Sequence, residues 1–148
     1  ISTIQGGNTV GSAVSFVEAA PEKDGYRKYI IKGSGRDDFS SMTEMAERHF
    51  RRVARGAEPA PDLVLVDGGK GQVSAAAKGI AASGFEPFPL VIGYAKKTGV
   101  SHMHGRKTPL ILAEEEPSSW LVRRVIAEAH RFAISFHRKK RGQAMTES

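Results

Sequence analysis

The sequence predicts an α/β domain that begins with strands and ends with a long helix, and three features carry that prediction. Residues 9–17 and 26–32 alternate apolar with small or polar side chains, as half-buried strands do. The tetrad Leu63-Val64-Leu65-Val66, an alanine-rich stretch over 70–82 and a second apolar run over 89–94 succeed one another as strand, helix and strand. From Ser118, apolar residues recur at helical spacing with no glycine or proline before Gly142.

Taken in order, residues 9–17 and 26–32 form a hairpin across the turn-forming Pro21-Glu22-Lys23-Asp24-Gly25. Gly33-Ser34-Gly35-Arg36-Asp37-Asp38 breaks the second strand. Residues 39–55 are helical, with Met42, Met45, Ala46 and Phe50 at helical spacing, and Gly56 and Pro59 stop them. The tetrad at 63–66 is apolar on both faces, as in the centre of a covered sheet, and ends at Asp67. Helix 70–82 and strand 89–94 then complete a βαβ unit. Residues 100–112 form a hairpin with Gly105 in its turn and 108–112 as its second strand. Glu114-Glu115-Glu116-Pro117 leads into the last helix, with Ser118 as N-cap and the acids at its favourable, electropositive end.

A chain of 148 residues suits one domain, and with 40% apolar residues it can bury a core. No apolar run approaches the roughly 20 residues of a membrane span, and the first residues do not resemble a secretory signal. A cytoplasmic protein with no membrane partner is therefore expected. The absence of cysteine excludes thiol catalysis, disulfides and thiolate zinc sites, leaving carboxylates and five histidines as ligands. The net charge of +6 favours an anionic partner. Its cations concentrate near the end, where Arg123, Arg124, Arg131, Arg138, Lys139, Lys140 and Arg141 face the single acid Glu128 between Ser118 and Arg141.

The strongest chemical signal is Val66-Asp67-Gly68-Gly69-Lys70-Gly71-Gln72. It sets a carboxylate at the C-terminal end of a central strand, where α/β sheets build their sites, with glycines that let a phosphate backbone approach. On the local pattern, Asp67 is either a reactive carboxylate or an acceptor for backbone N–H groups in a tight turn. A nucleotide-binding loop is weaker, because no Ser or Thr follows Lys70 and the phosphate-loop glycine spacing is incomplete.

The last helix carries a second signal. Leu121, Val125, Ala129, Phe132 and Phe136 form its apolar face, and His130 and His137 lie together at the edge beside Ile126 and Ala133. Arg124, Arg131 and Arg138 occupy another face that can track phosphates, and a solvated basic face accounts for the same pattern. His102 and His104 read as surface-turn residues, and His49, in the basic stretch 48–52, as part of a solvated face or a peripheral phosphate contact.

Several motifs occur in the order seen in one family. These are Ile1-Ser2 with Gln5-Gly6, Tyr26-Arg27-Lys28-Tyr29, Asp37-Asp38-Phe39, Asp67-Gly68-Gly69-Lys70-Gly71-Gln72, Glu128-Ala129-His130-Arg131-Phe132 and His137-Arg138-Lys139. With them the chain resembles the C-terminal endonuclease domain of the UvrC subunit of the bacterial UvrABC excision nuclease. The resemblance implies a ribonuclease-H-like mixed sheet flanked by helices, with the domain over 1–141 and a flexible tail over 142–148. It implies a metal-dependent DNA endonuclease of nucleotide excision repair that cuts on the 5′ side of a lesion. Position by position, Asp67 and His130 are implied as catalytic residues and metal ligands, with Asp38 as a further acidic catalytic position. Hard Mg2+ or Mn2+ suits such carboxylates. Lys70, Arg124, Arg131, His137, Arg138, Lys139 and Lys140 are the expected DNA contacts. Damaged double-stranded DNA, UvrB and, through the assembly, UvrA are the implied partners. The family's first catalytic aspartate precedes the Ile-Ser pair, and the chain begins at Ile1; the competing expectation is a non-catalytic nucleic-acid-binding module.

Overall fold

A computed structural model describes residues 1–4, 9–31, 38–111, 113 and 115–147, leaving aside the side chains of Ile4, Asp38 and 136–147. Five short strands come first: β1 (Ser2–Ile4), β2 (Val10–Ala13), β3 (Phe16–Val17), β4 (Ala20–Pro21) and β5 (Arg27–Ile30). Then follow α1 (Asp38–Ala54), β6 (Leu63–Asp67), α2 (Lys70–Ser83), β7 (Leu90–Ala95), β8 (Val100–Met103), β9 (Leu110–Ile111) and α3 (Pro117–Glu147). No helix is long and apolar enough to cross a membrane among the described residues.

The predicted mixed α/β architecture is present. β1, β2 and β5 pair antiparallel in the order β1-β2-β5, while β6 pairs parallel with β7, which continues antiparallel through β8 to β9. Ile1 joins these sheets: its nitrogen donates to the Leu65 carbonyl at 2.5 Å, and its carbonyl accepts from Asp67 N–H at 2.9 Å. That exchange is the slanted pattern of a parallel pair, so β1 lies beside β6.

Alternation along β2 assigns the two layers. Gly11 faces Met45 of α1, while the Ser12 hydroxyl donates to the Ala129 carbonyl of α3 at 2.8 Å. α1 and α2 therefore cover one face and α3 the other. The core combines Met42, Met45, Ala46 and Phe50 of α1 with Val73, Ala76 and Ile80 of α2 over Val64, Val66 and Val91. Gly79 is required in this packing, since a Cβ there would collide with the Thr43 carbonyl of α1. Truncating the buried Phe50 to alanine would cost about 3–5 kcal/mol by the usual cavity penalty.

Some local expectations change. β2 and β5 pair as predicted, but their connection holds a small hairpin of its own, β3 with β4, and Pro21 is a strand residue. Its turn uses Glu18 and Ala19 at φ 51° and 66°, a left-handed pair that their side chains do not advertise. β6 is not covered equally on both faces: Val64 and Val66 are buried, whereas Leu63 is exposed. α3 begins at Pro117, with the Glu116 carbonyl accepting from Trp120 N–H at 3.2 Å, so Ser118 lies inside the first turn and is not the cap. The buried stripe of α3 is Ile126, Ala129 and Ala133, with Leu121, Val125 and Phe132 only half-buried. The two alanines of this stripe let the helix approach β2 closely enough for the Ser12 bond.

Candidate functional site

Asp67 ends β6, the strand between β1 and β7, so its carboxylate projects from the rim of the joined sheet. Its register partner is Tyr94, and the next residue donates from Gly68 N–H to the Tyr94 carbonyl at 3.0 Å. Gly68 then turns the chain at φ 148° beneath the side chain of Gln72, which a Cβ would strike. α2 starts directly afterwards at Lys70, with Gly69 at its N-cap and no side-chain cap bond. Its first N–H groups remain directed toward the rim, which favours an anion there.

Two other elements bring groups to Asp67. From β1, the Ser2 hydroxyl donates to Asp67 Oδ2 at 3.0 Å and orients the carboxylate. From α3, His130 Nδ1 lies 4.0 Å from the same oxygen. The imidazole and carboxylate are too far apart for a direct hydrogen bond, and their side chains are 48% and 24% exposed, so both keep lone pairs open to a third species. Two donors about 2.1 Å from a common hard cation can stand up to roughly 4 Å apart, so the pair fits such an ion. Among the described residues, no group of three or more His, Asp or Glu side chains gathers into a metal cluster. Among the described residues, the buried Oε1 of Gln72, the last residue of the motif, has no hydrogen-bond partner.

The remaining predicted site residues are dispersed. Lys70 is exposed at the start of α2, on the same rim as Asp67. Asp38 is the first residue of α1, and its side chain lies outside the described residues. His137, Arg138, Lys139 and Lys140 continue α3, also with side chains outside them, and the division at residue 141 falls within that helix. Arg124 packs on the β3–β4 hairpin: it donates to the Ala19 carbonyl at 3.1 Å and lies over the rings of Phe16 and Trp120. Arg131 donates two bonds to Glu128, at 2.7 and 2.8 Å. That pairing, helped by the Tyr26 hydroxyl bond, outweighs the opposing effect of burial and leaves the Glu128 carboxyl below its ordinary range.

His49 departs from expectation. It is not on a solvated face: its Nδ1 contacts the Tyr29 hydroxyl at 2.7 Å, and its ring packs edge-on against Tyr29 and Phe50. Burial lowers its pKa to about 4, so the ring is neutral. Nearby Glu58 is buried yet charged. Burial opposes its ionisation, but bonds from Arg52 and Arg27 outweigh burial and lower its pKa. Sequence reading missed Ser2 as the partner of Asp67 and Glu58 as the centre of an arginine pair. The first was signalled only by its place in the Ile1-Ser2 motif, and the second had no signal.

The sequence matches the family described as UvrC RNAse H endonuclease domain over residues 1–134. The chain belongs to the UvrC endonuclease-domain family. Similar relatives are each called UvrABC system protein C. That of Gloeobacter violaceus is 46% identical over 154 residues, covering 100% of this chain and 24% of the relative. For Koribacter versatilis the identity is 43%, over 95% of this chain and 23% of the relative. For Methylococcus capsulatus it is 39%, over 100% and 25%. This UvrC-type domain thus spans about a quarter of the length of those proteins, and its mixed sheet and flanking helices are those of a ribonuclease-H-like fold.

Proposed function

We propose that the chain is the nuclease domain of a nucleotide excision repair protein and hydrolyses a phosphodiester bond of damaged double-stranded DNA on the 5′ side of the lesion, with Mg2+ or Mn2+. The observation that carries this reading is the 4.0 Å approach of His130 to Asp67 at the rim of a UvrC-type sheet. Asp67 and His130 would hold the metal, which when bound supplies Lewis-acid polarisation of the phosphate and lowers the pKa of water. Ser2 keeps one Asp67 oxygen oriented, and the uncapped start of α2 with Lys70 draws the phosphate toward the rim. The His130 imidazole can also accept a proton from the attacking water or donate one to the leaving oxygen.

By the same family membership, the protein would work with UvrB and, through that assembly, UvrA. Lesion choice would then come from those partners, because base-independent cations are the DNA-facing groups proposed here.

The test is nicking of lesion-bearing duplex by the chain and by a version with an aspartate placed before Ile1, with and without Mg2+ or Mn2+. Metal-dependent nicking lost in Asp67→Ala supports the reading, and unchanged nicking in that variant overturns it. The second reading, a non-catalytic DNA-binding module, is favoured by the presence of only two close donors among the described residues. It predicts salt-sensitive binding without metal-dependent nicking in either version.

A further inference from the structure

We infer that Lys23, Arg27, Lys28 and Arg131, over a floor of Tyr26 and Phe132, form a second phosphate cradle that holds a DNA strand away from the Asp67 and His130 pair. These six residues line one open cavity of about 420 Å³ between β5, the turn before it and α3. The DNA identity of the ligand rests on the proposed nuclease function; the anion chemistry rests on the cavity alone.

Among the described residues, four of the six that line it are cations and none is an acid. The two guanidiniums are already fixed. Arg27 is held by Glu58 at 2.5 Å and by the carbonyls of Asp24 and Tyr26 at 2.8 and 2.7 Å. Arg131 is held by the Glu128 carboxylate through two of its nitrogens. Side chains fixed before binding lose little further freedom when a ligand arrives, and each fork retains other N–H donors. Glu58 and Glu128 stand behind the wall, each bonded to one of its arginines, and these two carboxylates are outnumbered by Lys23, Arg27, Lys28, Arg131 and the Arg52 that shares Glu58, so the wall keeps a positive balance. Beneath it, the Tyr26 and Phe132 rings meet edge to face at 5.0 Å, and Lys28 Nζ stands 4.6 Å from the Phe132 centroid. An apolar floor under clustered cations strengthens their field on an anion. The volume exceeds one oxyanion and suits a nucleotide-sized group.

Its position suits a strand that also reaches the catalytic rim. β5 lies three strand spacings from β6 by way of β2 and β1, about 14 Å at roughly 4.8 Å each. With roughly 3.4 Å of axial rise per nucleotide, the cradle would hold the backbone about four nucleotides from the cut. Phe132 and His130 leave α3 on different sides, so one helix would serve both positions.

The experiment measures binding of lesion-bearing duplex against salt for Lys23→Glu with Lys28→Glu. Its control is Arg106→Glu with Lys107→Glu, an equal charge change at exposed positions in the β8–β9 turn, at the opposite end of β7 from Asp67. The cradle pair should weaken binding about tenfold near 0.15 M salt and reduce the salt slope by about 1.8, at roughly 0.9 for each phosphate no longer neutralised. The control should change neither by more than about a fifth of that. Equal losses in both pairs overturn the cradle. Millimolar pyrophosphate binding that the cradle pair loses while DNA binding stays unchanged also overturns it, assigning the cavity to a free polyphosphate. Selective loss of DNA binding, with no metal-dependent nicking by the chain carrying an aspartate before Ile1, supports the cradle and removes the nuclease reading; nicking with DNA binding untouched by the cradle pair removes the cradle alone.

Discussion

The Ser2 hydroxyl donates to Asp67 Oδ2 at 3.0 Å across 65 positions of sequence, tying the first strand to the carboxylate that ends the central one. Removing it in Ser2→Ala leaves Asp67 with a freer rotamer. Metal-dependent nicking should fall about tenfold, as when a ligand loses its supporting hydrogen bond. The stability cost should be about 1 kcal/mol. Parallel nicking and urea-unfolding assays read the two effects, and full activity in Ser2→Ala would remove the orienting role.

Asp67→Ala and His130→Ala should each reduce nicking at least about 100-fold, and the double variant should be little worse than either. Groups that share one site do not contribute independently. Multiplicative losses under single-turnover conditions would mean that Asp67 and His130 act at separate places.

His49 predicts a pH dependence of stability. Burial lowers its pKa to about 4 in the folded chain, against an ordinary 6.5 when unfolded, so the unfolded chain binds the extra proton first as pH falls. Its contribution is complete above pH 6.5 and is lost progressively from 6.5 down to 4. The change is about 3 kcal/mol at the conversion of 1.36 kcal/mol per unit. Denaturant unfolding across that window should show the slope in the parent and a flatter profile in His49→Gln. An identical slope in both would assign it elsewhere.

Glu58→Gln should destabilise the chain by about 2 kcal/mol, because the Arg27 and Arg52 guanidiniums lose the buried carboxylate between them. The cost falls below that of a fully buried pair because the two arginine side chains are 34% and 35% exposed and can hydrate. Thermal unfolding measures it. Replacing both arginines with methionine in the Glu58→Gln background should recover part of the loss, and a further loss would locate the effect outside the ion pair.

The sequence by itself determined which segments are helices and strands wherever a repeating pattern spans several residues. Met42, Met45, Ala46 and Phe50 marked the inner face of α1, the alanine-rich stretch marked α2, and Asp67 was visible at the end of an apolar run. Those features are local, since side-chain period and the glycines after Asp67 are fixed by backbone geometry. The family resemblance singled out His130, which helix periodicity could only place at an edge. Tertiary structure decided the rest. Only the joining of β1 to β6 through Ile1 brings Ser2 to Asp67, and only the close seating of α3 on Ser12 turns Ile126, Ala129 and Ala133 inward and His130 toward the rim. The same packing removed His49 from solvent and engaged Arg131 with Glu128, although both read as exposed basic positions. Charge and periodicity describe a residue along its own chain. Whether its polar atoms meet water, a carboxylate or another ring depends on elements that are distant in sequence and adjacent only after folding.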